Sequence, residues 1–175
     1  MSKYLSIILA VMLIVSSCGP GGSKKQKSEA LKVASGGSYP VQLMTVDPGH
    51  FHAALVQKSM FPQVSPDVHV YAPDGPDVQQ HLDRIASYNN RPADPTSWNE
   101  IVYKGDDFFE KMLSEKPGNA VVLSGNNRKK AEYITRSVNA GLNVYADKPM
   151  IISPDDFPKL QEAFRTAEEK GVLIY

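Results

Sequence analysis

Between residues 119 and 175 three short apolar runs, rich in β-branched side chains, alternate with two helix-length segments. The runs cover 120–123, 143–145 and 172–175. Strands this short and this uniformly apolar need cover on both faces, and helices placed between them supply it through right-handed crossovers. The pattern predicts an α/β chain with a doubly wound parallel sheet of about six strands. Sheets of that kind gather ligands beyond the carboxyl ends of their strands. Asp147-Lys148-Pro149 stands just past one of these runs.

The first half repeats the alternation. A strand is expected over 41–46, turned by Asp47-Pro48-Gly49 into a helix carrying Ala53, Ala54, Leu55 and Val56. A second strand, 68–72, ends at Pro73-Asp74-Gly75-Pro76. Asp77 is then placed to cap a helix holding Val78, Leu82 and Ile85. Residues 89–99 read as a loop and 101–103 as a short strand. Asp106 is the expected cap of a helix burying Phe109, Met112 and Leu113, stopped by Pro117-Gly118. The helix after residue 123 buries Ala131, Ile134 and Val138 and ends at Gly141. In the last helix Ser153 is the cap, Pro154 the first residue, and Phe157, Leu160, Phe164 and Ala167 the buried stripe.

The amino terminus reads differently. Lys3, an apolar run from Leu5 to Val15 and then Ser16-Ser17-Cys18 have the layout of a secretory leader. The run is shorter than the roughly 20 residues a spanning helix needs. Val15-Ser16-Ser17-Cys18 resembles the lipobox of bacterial lipoproteins, which implies lipidation at Cys18. The expected organisation is a lipoprotein signal peptide at 1–17, a Gly/Ser/Lys-rich flexible tether at 18–39 and a folded domain at 40–175. It places the protein in a bacterial cell envelope, lipid-anchored and facing the periplasm or the surface, with the membrane as a partner through Cys18. Cys18 is the only cysteine, so no disulfide is expected. With 19 basic and 19 acidic residues there is no cationic surplus, which argues against nucleic acid as a partner.

Asp147-Lys148-Pro149, the Ala140-Gly141-Leu142-Asn143-Val144-Tyr145 run before it, and Val121-Val122-Leu123-Ser124-Gly125-Asn126-Asn127 together resemble the Gfo/Idh/MocA oxidoreductases, whose signature is Glu-Lys-Pro. The likeness covers about the last sixty residues well and the first half through strand order alone. It implies a Rossmann sheet of NAD(P)-binding type, NAD or NADP as cofactor, and a sugar or cyclitol hydroxyl as substrate. It makes Lys148 the catalytic residue. An ammonium at a strand's carboxyl end can stabilise a developing alkoxide and assist proton transfer. Around it, Ser124, Asn126, Asn127, Asp147 and Pro149 are expected to line the cofactor, with Asn126 and Asn127 equally placed to be plain helix caps. Asp147 replaces the family's Glu, and Lys130 falls where the family often has a histidine.

The first turn departs from the family's glycine-rich pattern, in which bare backbone lets a pyrophosphate approach a helix N-terminus. Here Pro48, Gly49, His50, Phe51 and His52 occupy it, with one glycine. Free amides and a protonated histidine could still hold phosphate, while Asp47 would repel it. Asp74 sits where a carboxylate would hold a ribose hydroxyl, and equally where one would cap a helix. Asp47-x-x-His50-x-His52 also resembles the opening of metal-dependent amidohydrolases. Only His69 and His81 remain as further histidines, and eight barrel strands do not fit, so no metal site is expected. Full-length relatives carry a second, substrate-binding domain that is absent here. The chain therefore reads as a truncated, weakly active oxidoreductase domain, partnered by a separate substrate domain or by a second copy of itself. The alternative is a non-catalytic binding or scaffold module that keeps the fold.

Overall fold

The computed structural model describes residues 39–175. The expected leader, the Cys18 lipidation site and nearly all of the tether lie outside the described residues. Five strands form one sheet: β1 (Leu43–Val46), β2 (Asp67–Ala72), β3 (Asn99–Lys104), β4 (Ala120–Leu123) and β5 (Asn143–Ala146). Their order is β3-β2-β1-β4-β5 and every pairing is parallel. The chain starts in the middle, winds outward to β3, then crosses back to lay β4 against the free side of β1. Between β1 and β4 the winding reverses, and the crevice of a doubly wound sheet opens there.

The expected sixth strand is only outlined. Ile174 makes an isolated parallel bridge to Val144, and the amide of Tyr175 donates to the Val144 carbonyl at 2.9 Å. Val41, expected in β1, likewise makes only a bridge, to Val64.

The helices are α1 (His52–Leu55), α2 (Pro76–Asn90), α3 (Phe108–Glu115), α4 (Asn127–Asn139) and α5 (Phe157–Lys170). Alternate side chains of each strand serve opposite faces, as the pleat requires. Met44, Val46, Val121, Leu123, Val144 and Ala146 face one core, closed by Phe109, Met112, Ile134, Val138 and Ala163 of α3, α4 and α5. Leu43, Val68 and Val122 face the other, with Ala54, Ile85 and Trp98. No helix among the described residues is long and apolar enough to cross a membrane.

Several caps are corrected. Gly75 holds the cap position of α2 and Asp77 lies inside its first turn, because Pro76 takes the first helical place. Asp107, not Asp106, precedes α3. Ser153 does cap, accepting from the Asp155 amide at 3.2 Å, but the element it caps is a 3-10 turn, Pro154–Asp156, leading into α5. The predicted stripe of α5 is also shifted: Phe157 and Phe164 are about half exposed, while Ala163 and Ala167 are buried and Leu160 partly so. The loop runs from 91 to 98, with α2 reaching Asn90 and β3 starting at Asn99.

Candidate functional site

Three turns meet at the carboxyl end of the sheet: 47–51 after β1, 124–126 after β4 and 147–150 after β5. The first two touch backbone to backbone. Gly125 has φ +117, and a Cβ built there would come within 2.5 Å of the Gly49 Cα and amide nitrogen. The position therefore demands glycine twice over, for its dihedral and for its space. Gly49 has more room, its virtual Cβ meeting nothing closer than 3.5 Å. The His50 amide donates to the Ser124 carbonyl at 3.1 Å and completes the junction.

Asp47, expected to repel a phosphate, is turned inward. Its φ is +46 and it is buried. Its Oδ2 accepts from Asn126 Nδ2 at 2.7 Å and from the Tyr133 hydroxyl at 3.3 Å. Burial, with the Asp47 charge and hydrogen bond, pushes the Tyr133 hydroxyl up from its ordinary pKa. The carboxylate thus ties the β1 turn to the start of α4. Asn126 holds the cap position of α4 with φ +36, but its side chain serves Asp47 instead of capping the helix.

The expectation of free amides in the first turn is largely overturned. The Gly49 amide donates to the Asp47 carbonyl at 2.8 Å, that of His50 is taken by Ser124, and that of His52 reaches His50 Nδ1 at 3.5 Å. With α1 only four residues long, its dipole is small. The cradle by which a glycine-rich turn holds a pyrophosphate is not built here.

The β5 turn is held from below. Lys130, on α4, is 1% exposed, and its Nζ donates to the Asp147 carbonyl at 2.8 Å. Burial lowers its pKa, the nearby Lys148 charge adds to the lowering, and Asp147 opposes it. The Asp147 carboxylate lies 2.9 Å from His52 Nδ1 and 3.5 Å from His50 Nδ1, and accepts from the Ser124 hydroxyl at 3.3 Å. Burial alone would raise its pKa. The His52 bond and charge, Lys130 and Ser124 outweigh that and hold the carboxyl below the usual range. Lys148 is exposed beside it, and the Lys148–Pro149 peptide is cis.

Two hollows share the Asp147-Lys148 edge. One, of about 300 Å³, is lined by Gly49, His50, Asn126, Asn127, Lys148 and Pro149 among others. The other, of about 480 Å³ and more apolar, lies over β4 and β5, between His52, Leu55, Phe61, Tyr145 and Tyr175. Asp74 stands apart at the end of β2, exposed and 3.2 Å from Lys104 Nζ. Phe51 is exposed under the Arg84 guanidinium, 5.8 Å from its ring centre. The metal reading built on Asp47 is also corrected, because Asp47 points away to Asn126. The carboxylate that meets the two histidines is Asp147, 95 residues from His52 in the chain.

A nicotinamide dinucleotide fits this edge in part. The crevice at the reversal of the winding, a glycine-limited wall at Gly125 and a rim lysine suit the nicotinamide end, whereas the first turn lacks the amide cradle for the phosphates. Sequence reasoning missed Lys130 as the post under the β5 turn, and it missed Tyr133. Both are helix residues whose partners are distant in sequence.

No protein-family model matches the chain, and no curated protein does. Among solved structures, a provisionally named oxidoreductase from Parabacteroides merdae is 56% identical with a TM-score of 0.77, covering 78% of this chain and 31% of that one. Biliverdin reductase from Synechocystis sp. PCC 6803, in complex with biliverdin and NADP+, aligns at 12% identity and TM-score 0.55, over 77% of this chain and 37% of its own. A 3-ketoreductase from Actinomadura kijaniata, in complex with TDP-benzene and NADP, aligns at 20% and 0.50, over 77% and 36%. The chain thus spans about a third of the length of the structures it matches.

Proposed function

We propose that this chain, a Rossmann domain of the Gfo/Idh/MocA oxidoreductase type, binds NAD or NADP along the carboxyl ends of β1, β4 and β5. We further propose that it serves the oxidation or reduction of a small substrate at Lys148. One observation carries the reading: Lys148 lies exposed on the rim of the crevice where the winding reverses, on a turn that Lys130 fixes from inside. Gly49 and His50 would form one wall against the cofactor and Asn126, Asn127 and Pro149 the other. When bound, the cofactor supplies a hydride acceptor or donor.

The chain's own residues do the rest. Lys148 Nζ holds the substrate oxygen and carries the proton that leaves or joins it, favouring the charged form of that oxygen in the transition state. Lys130 keeps the turn from drifting, so the Lys148 ammonium keeps its place. A sugar or cyclitol hydroxyl is the substrate class we propose, on the resemblance of the Asp147-Lys148-Pro149 region. The leader resemblance supports an envelope location with a lipid at Cys18. Replacing Cys18 by Ser should move the protein from the membrane to the soluble fraction.

A nucleotide titration followed by thermal or chemical unfolding tests the core of this reading. At about 100-fold excess over the dissociation constant, NAD or NADP should add about 2.7 kcal/mol of stability. Lys148→Ala should abolish turnover with any substrate found while leaving most of that stabilisation. The consumed amides of the first turn favour a second reading, a module that keeps the fold without the cofactor. No stabilisation by either nucleotide would select it.

A further inference from the structure

We propose that His50, His52 and Asp147 form a three-ligand site for a divalent transition cation, Zn²⁺ by preference, at the rim of the crevice. The inference goes beyond the nucleotide reading and does not depend on it.

The geometry comes from two distant segments. His50 stands on the β1 turn, His52 at the start of α1 and Asp147 after β5, and one ligand atom from each lies within 4.8 Å of the others. Both imidazoles present Nδ1 to the same carboxylate oxygen, at 3.5 and 2.9 Å. Two ligand atoms on one tetrahedral zinc are separated by roughly 3.3 Å, given bonds of about 2.0–2.1 Å. The observed distances bracket that value, so an ion can enter with small side-chain rotations. The rings stand edge to face, with centres 4.3 Å apart and planes at 88°, which lets both nitrogens converge without the rings colliding.

The surroundings suit an ion as well. The His52 amide reaches His50 Nδ1 only over a long 3.5 Å, a weak bond that an ion at that nitrogen displaces at little loss. The Ser124 hydroxyl and the buried Lys130, through the main chain, orient Asp147 from outside the cluster. Outer partners of this kind steady ligands in metal centres. The two histidine side chains are 43% and 31% exposed, so an ion has access from solvent. Three protein ligands leave one position open toward the crevice, the arrangement of zinc sites that take a water or a substrate oxygen. Two imidazoles and one carboxylate favour zinc over magnesium or calcium, which prefer all-oxygen shells.

The test uses the full chain without an affinity tag, with Cys18→Ser so that no thiol competes, stripped by a chelator. Zn²⁺ is then titrated in competition with a colorimetric chelator, and folding is checked by circular dichroism. One zinc per chain is expected, not displaced by excess Mg²⁺. His50→Gln, His52→Gln and Asp147→Asn should each weaken it by at least about tenfold, the scale that loss of ligand support produces. His69→Gln, outside the cluster, should leave it unchanged. Absence of stoichiometric binding would overturn the site. So would a folded His50→Gln/His52→Gln variant that holds zinc as tightly as the parent. Should that double variant not fold, the near-isosteric Asp147→Asn decides, since retained affinity there also overturns the proposal. NAD and NADP are titrated separately into metal-free protein, so failure of one site is distinguishable from failure of the other.

Discussion

Single residues at the sheet's carboxyl edge have unequal tolerances. Gly125→Ala forces a Cβ to 2.5 Å from the Gly49 backbone at a left-handed φ, and should cost at least about 2 kcal/mol in urea unfolding. Gly49→Ala meets only ordinary contacts from 3.5 Å outward and should cost less than about 1 kcal/mol. Equal costs would mean that the two turns do not touch as described. A second residue-scale test lies under β3, where His81 Nε2 faces Glu100 Oε2 at 3.9 Å and neither atom has a hydrogen-bond partner among the described residues. Burial lowers the His81 pKa from 6.5 to about 4. Burial also raises that of Glu100 from 4.5 to about 7, against the opposing Gln57 bond. Both groups are therefore neutral near pH 6. The depressed histidine contributes stability that is present above pH 6.5 and lost as pH falls toward 4. The raised glutamate contributes stability that is present below pH 4.5 and lost as pH rises through 7. The two slopes oppose each other between pH 4.5 and 6.5 and should nearly cancel. Glu100→Gln should leave the histidine slope alone, with stability rising by up to about 1.4 kcal/mol per pH unit across that window. Urea midpoints that stay flat in Glu100→Gln would disprove the buried neutral pair. At this scale the sequence was legible where a turn sat on consecutive residues, as in Asp147-Lys148-Pro149 just past β5. It was illegible where partners were remote: nothing in Asp47 announces that it turns to Asn126, or in Lys130 that it supports residue 147.

The strands were the most readable elements, since an apolar β-branched run bounded by turn residues has few other uses. The helices were read correctly in existence and less well in facing. In α5 the bulk of Phe157 and Phe164 drew the predicted stripe toward them, yet the buried line passes through Leu160, Ala163 and Ala167. Alanines let α5 lie close against α4, and close approach stabilises more than two rings on a helix that has solvent along its other side. Phe164→Ser should therefore change stability by no more than about 0.5 kcal/mol, as for other surface changes. Ala163→Leu should cost about 1–3 kcal/mol by overpacking. A reversed ranking in a denaturant series would restore the original stripe. The shortness of α1 was also unforeseen. Four apolar residues after Gly49 suggest a helix, but the turn above is pinned by Ser124 and Asp147, and the chain leaves the helix after one turn.

For the whole molecule, the strand order decides where chemistry can gather. Placing β4 directly beside β1 brings the turn after residue 46 against the turn after residue 123, and β5 adds the third. The alternation of strand and helix made a parallel doubly wound sheet legible in the sequence, whereas the contacts between its turns were not. The same order makes the sheet a shared wall. Successive residues of β1 and β4 point into opposite cores, Met44 and Val121 into one, Leu43 and Val122 into the other. Neither layer of helices can detach without exposing strands that the remaining layer needs. The domain should therefore unfold as one cooperative unit. Trp98, the only tryptophan, is 5% exposed in the α2-side core, its Nε1 donating to the Gln57 carbonyl at 2.6 Å. Its fluorescence reports that side alone, while far-ultraviolet circular dichroism is dominated by all the larger helices. The two probes should give the same urea midpoint and the same slope. A Trp98 transition that preceded the loss of helix would show the layers parting separately, and the crevice would then rest on the β4–β5 half of the sheet alone.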